Sequence, residues 1–100
     1  MATTLGAVAE VQPGRMKAYH VGSNEVAVAN VDGRFYAFGD TCTHMGCSLA
    51  TGTLEGQVVT CACHGSQFDV ASGEVVRGPA DEDVQTWAVK VEGDAISIES

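Results

Sequence analysis

Positive charge is scarce in this chain: five lysines and arginines stand against 13 acids, for a formal charge of −8. Nucleic acid is excluded as a partner, because its phosphates need clusters of Lys and Arg. Long hydrophobic runs are missing too. No apolar stretch approaches the ~18 residues that cross a bilayer, so no membrane span is expected. The opening MATTLGAVAEVQPGRM has no basic region followed by an apolar run, so it is not read as a signal peptide. The chain is therefore expected in the cytoplasm. Long helix-period segments, internal repeats, low-complexity stretches and linkers are also absent, as are a phosphate-cradling loop and a nucleophile–base pair. Nothing here promises catalysis by the chain alone.

What is present is a series of short apolar runs between glycines. MKAYHV (16–21) and EVAVANV (25–31) alternate as half-buried strands do. Gly22–Asn24 reads as the turn between them. RFYAFG (34–39) follows Asp32-Gly33, a strong hairpin signal. QVVTC (57–61) follows the turn Glu55-Gly56, and WAVKV (87–91) and AISIE (95–99) flank Glu92-Gly93-Asp94. A single turn of helix is expected in AEVQPG (9–14). The 100 residues predict one all-β domain, an antiparallel sandwich or barrel of eight or nine short strands. A core this size has little stability to spare, so a metal group or disulfide would reinforce it.

All four cysteines and two of the three histidines fall in two words, CTHMGC (42–47) and CACHGS (61–66). Each word follows a predicted strand, so each is expected at a hairpin tip, in a cluster-binding part spanning about 40–80. Cys42-x-His44 and Cys61-x-x-His64 offer two thiolates and two imidazoles. That set suits one tetrahedral zinc, or a two-iron cluster with cysteines on one iron and histidines on the other. A one-residue gap between ligands is unusual for a zinc knuckle, and C-A-C-H is one residue short of a haem attachment word.

The two words together resemble the cluster-binding loops of the Rieske iron–sulfur family, C-x-H plus C-x-x-H. The resemblance implies a [2Fe–2S] cluster with Cys42 and Cys61 on the inner iron and His44 and His64 on the outer one. Exchanging two thiolates for neutral imidazoles removes negative charge. Family potentials accordingly run from about −150 to +300 mV, against about −400 mV for all-cysteine plant-type clusters. The respiratory branch of the family ties its loops with a disulfide, which implies a Cys47–Cys63 bridge, expected to be buried and so shielded from cellular thiols.

By the same resemblance Ser66 donates a hydrogen bond to a bridging sulfide. Phe68 replaces the tyrosine of high-potential members. Gly46 and Gly65 direct backbone N–H groups at the sulfides, and Met45 covers the cluster. Gly78-Pro79 opens the loop that shields the third side, with Asp81 where a second proline is usual. An intermediate potential is implied. The expected role is a one-electron carrier between a flavin reductase and an oxygenase or similar acceptor, with Asp81, Glu82 and Asp83 as a docking patch. The alternatives are a subunit or fragment of a quinol-oxidising complex and, more remotely, a zinc-stabilised binding module. His20 is read as a non-ligand, and Tyr36 and Trp87 as sheet-packing residues.

Overall fold

A computed structural model of the chain describes residues 2–42, 46–63, 65–78 and 80–99. Among these residues lie eleven strands: β1 (Ala2–Ala7), β2 (Met16–Val21), β3 (Asn24–Val31), β4 (Arg34–Gly39), β5 (Thr53–Glu55), β6 (Val58–Thr60), β7 (Gln67–Asp69), β8 (Val75–Arg77), β9 (Thr86–Trp87), β10 (Val89–Glu92) and β11 (Ala95–Glu99). They form three antiparallel sheets, ordered β1-β11-β10, β2-β3-β4-β9 and β5-β6-β7-β8. The expected all-β architecture holds, with more strands than the eight or nine predicted. Among the described residues no helix is long and apolar enough to cross a membrane.

Strand β3 explains how the sheets stack. Side chains alternate across a strand, and here the alternation is one of size. Val26 and Val28 pack with Val11, Ala37, Ile96 and Ile98 in one buried cluster. Ala27 and Ala29 face a second cluster with Phe38, Leu49, Val59, Phe68, Cys42 and Cys61. The strand is thus buried on both faces, not half-buried as its sequence suggested. The valines fill the first cluster, the base, and the smaller alanines face the second, the loop end, which holds both buried thiols. In β4 a like alternation sends Ala37, which pairs with Val28, to the base and Phe38, which pairs with Ala27, to the loop end.

WAVKV proves to be two strands. Trp87 pairs with Ala37 of β4, whereas Val89 pairs with Ile98 of β11, so the chain crosses between sheets at Ala88. The N-terminal strand β1, which the sequence did not announce, pairs along β11 with an irregularity between Thr4 and Gly6. The expected helical turn is a 3-10 turn at Val8–Glu10, overlapping the start of its expected span, and a second 3-10 turn lies at Leu49–Thr51.

Candidate metal centre

The two Cys/His words become loops of one design. In loop one (42–47) the N–H of Cys42 donates to the carbonyl of Cys47 at 2.8 Å, and the N–H of Gly46 donates to the carbonyl of Cys42 at 2.8 Å. In loop two (61–66) the N–H of Cys61 donates to the carbonyl of Ser66 at 2.8 Å, and that of Gly65 to the carbonyl of Cys61 at 3.1 Å. Gly46 and Gly65 have φ of 74° and 78°, a left-handed conformation that glycine adopts without strain. Their N–H groups close the loops.

The stems differ. Loop two is the tip of the β6–β7 hairpin, where Thr60 faces Gln67. Loop one leaves β4 and, among the described residues, is closed by a single bridge pair, Thr41 with Ser48. Asp40, only 2% exposed, supports that stem. Its carboxylate accepts the Ser48 hydroxyl at 2.6 Å and the Ala50 N–H at 2.8 Å, and its carbonyl accepts the Leu49 N–H at 2.6 Å. Sequence reasoning missed Asp40, since nothing in the ligand spacing marks it.

Cys47 and Cys63 form a disulfide with Cα atoms 6.6 Å apart. The pairing is as expected, but its setting is not: Cys47 is half-buried and Cys63 exposed, because Cys63 stands on the outward turn of loop two. The sulfurs of Cys47, Cys61 and Cys63 lie within 4.8 Å of one another. Two of these sulfurs are spent in the bridge, so this trio is not a three-thiolate site. The thiols outside the bridge are Cys42 and Cys61, each 2% exposed and both in the loop-end cluster. Two buried soft donors, one from each copy of the loop, fit the thiolate half of an iron–sulfur centre. His44, Met45, His64 and Pro79 lie outside the described residues.

Ser66 is fully buried, and its hydroxyl oxygen accepts the Ala80 N–H at 3.0 Å. That bond fastens the segment after exposed Gly78 to loop two. Further along, Asp83 accepts the Val75 N–H at 2.9 Å, and the Val84 N–H reaches the Gly73 carbonyl at 2.9 Å. Asp81, Glu82 and Asp83 are all exposed, yet the Asp83 carboxylate also pins β8. Phe68 is fully buried opposite Val59. A groove of about 400 Å³ lined by His20, Glu25, Thr41, Asp83 and Trp87 holds none of the cysteines. The His20 side chain is 82% exposed, in keeping with a non-ligand.

Away from the loops, the Tyr19 hydroxyl (2.9 Å) and Lys17 Nζ (3.1 Å) both donate to Glu10 Oε1. The bond from Tyr19, followed by that from Lys17, holds the Glu10 carboxyl below its ordinary range. Burial, then the bond to Glu10, pushes the Tyr19 phenol up to about 12.

The comparisons agree with this geometry. A family profile described as "Rieske [2Fe-2S] domain" matches residues 2–88. The "Biphenyl 2,3-dioxygenase, ferredoxin component" of Rhodococcus jostii (strain RHA1) is 37% identical over 90% of this chain and 84% of that protein. The solved "Sphingomonas yanoikuyae B1 ferredoxin" superposes with a TM-score of 0.94 at 30% identity, covering 100% of this chain and 99% of that one. A chain in the "Complex of reduced oxygenase and oxidized ferredoxin in carbazole 1,9a-dioxygenase" gives 0.90 at 34% identity, over 97% of this chain and 91% of that one. With two like loops each burying a thiol, and a family match across most of its length, this chain belongs to the Rieske [2Fe–2S] family and takes one Rieske-type cluster.

Proposed function

We propose that the whole chain is one electron-carrying domain, a ferredoxin that passes single electrons from a flavin reductase to an oxygenase or similar acceptor in the cytoplasm. In this reading Cys42 and Cys61 hold the inner iron and His44 and His64 the outer one. The observation that carries it is the repeated loop frame, which buries one thiol from each loop in the same cluster of side chains. When bound, the cluster supplies a one-electron couple.

The residues around the site act in distinct ways. Cys42 and Cys61 present their sulfurs from the buried side, which shields them from water. The Ser66 oxygen accepts from Ala80 and leaves its own O–H proton to donate to a sulfide, which favours the reduced state. Phe68 excludes water but offers no hydroxyl donor, so the potential falls between the branches of the family. Gly78, Pro79 and Met45 belong to the cover over the site. Asp81 and Glu82 serve the docking of a basic partner surface, while Asp83 divides its role between that surface and β8.

The test is purification without oxygen, followed by iron analysis and electron paramagnetic resonance. A red-brown protein with a rhombic signal only in the reduced state is expected. A colourless protein with one zinc overturns the reading. Electron delivery should also slow as salt rises, and a flat salt response removes the docking patch. The disulfide and the buried Ser66 favour a quinol-oxidising complex instead. A potential at the top of the family range, with sensitivity to quinone analogues, would decide for that alternative.

A further inference from the structure

We infer that Asp40 is a positioning residue for loop one and a fixed negative charge that lowers the potential of the cluster; the inference rests on Cys42 being a ligand. Asp40 contacts both shoulders of the loop. Its N–H donates to the Glu25 carbonyl at 3.0 Å, which seats it on β3, and its other contacts reach Ser48, Leu49 and Ala50. Loop two needs no such clasp because its hairpin ladder supplies the stem. Loop one has a stem of one pair, so a buried side chain does the work of a ladder.

Among the described residues each carboxylate oxygen of Asp40 accepts one bond, from the Ser48 hydroxyl and from the Ala50 N–H. Both donors are neutral, so they solvate the charge without cancelling it. Only Thr41 separates Asp40 from Cys42 in the chain, so their Cα atoms are at most ~7 Å apart. At 2% exposure little solvent or salt screens the carboxylate. A negative charge so placed disfavours adding an electron to the cluster that Cys42 would hold. Ser48 moderates that field by turning the positive end of its hydroxyl to Asp40.

Two substitutions separate this role from simple support of the fold. Asp40→Asn keeps an oxygen for Ala50 and removes the charge. Ser48→Ala keeps the charge and removes a donor. Redox titration of the loaded proteins, with iron content and reduced-state resonance spectra, should find the midpoint moved positive in D40N and negative in S48A, with iron retained. Unmoved midpoints, or shifts of the same sign, overturn the inference, because a loosened loop displaces both variants alike. If D40N takes up no iron, S48A decides: a negative shift upholds the charge effect and no shift ends it. A wild type without the rhombic signal sinks the ligand assignment together with this inference, whereas a normal wild type with unmoved variants sinks the inference alone.

Discussion

At the base of the molecule, β2, β3 and β4 run six, eight and six residues and enclose Val11, Val26, Val28, Ile96 and Ile98. At the loop end, β5 to β8 are three residues each, and their buried cluster includes two cysteines and several alanines. Long paired strands with branched aliphatic side chains support themselves by burial. Three-residue strands bury too little to do so. The loop end is held instead by ties: the Cys47–Cys63 bridge, the Asp40 and Ser66 hydrogen bonds, and the metal itself. The base is a platform, and the cluster forms part of the fold of what stands on it.

The strongest test of this division is removal of the metal. Cys42→Ser or Cys61→Ser should abolish the reduced-state resonance signal, and iron analysis should find the site empty. Chelation should speed hydrogen exchange in β6 and β7 by orders of magnitude while β3 and β11 stay protected. Equal loosening of both ends would break the comparison.

Next in size is damage to the base. Ile96→Ala should cost about 2–5 kcal/mol in urea unfolding, with the visible spectrum unchanged until the whole protein melts. A spectrum that fades first would show that the platform and the loop end are one cooperative unit.

Cys47→Ser should cost about 2–4 kcal/mol, read as a lower midpoint of cluster loss on heating. Because Cys63 is exposed, dithiothreitol should reproduce most of that loss in the native protein. Resistance to dithiothreitol would mean the bound cluster covers the bridge.

The smallest effect sits on the base. The depressed Glu10 carboxyl contributes stability above its ordinary value of 4.5, and this is lost as pH falls through the lower folded value. Tyr19 behaves oppositely. Its phenol, ordinarily at 10.0, is raised to about 12, so its contribution is complete below 10.0 and lost as pH rises through about 12. Tyr19→Phe should flatten the alkaline fall in melting temperature and leave the cluster potential unmoved.

The chemistry of the site was the most legible part of the sequence, because metal ligands must be particular residue types at short spacings. The hairpins at Asp32-Gly33 and Gly93-Asp94 were legible too, since these turns demand particular residues. β1 was not: ATTLGA carries no strong alternation, and its partner β11 lies at the other end of the chain. β3 was misread because hydrophobic alternation does not distinguish a polar face from a small one. Trp87 and Val89 looked continuous because a crossover between sheets needs no turn residue. Asp40 was invisible because its partners, Ser48 and Ala50, are ordinary residues whose positions only folding makes meaningful.

The Cys47–Cys63 link also closes a ring of main chain around β5, β6 and the turn at Gly56-Gln57. A protease that nicks this turn therefore releases no fragment: both pieces stay covalently joined until the sulfurs are reduced. The same ring makes the Gly56-Gln57 turn a natural insertion point for a tag or a second protein, because the covalent closure holds both halves of the cage through the interruption.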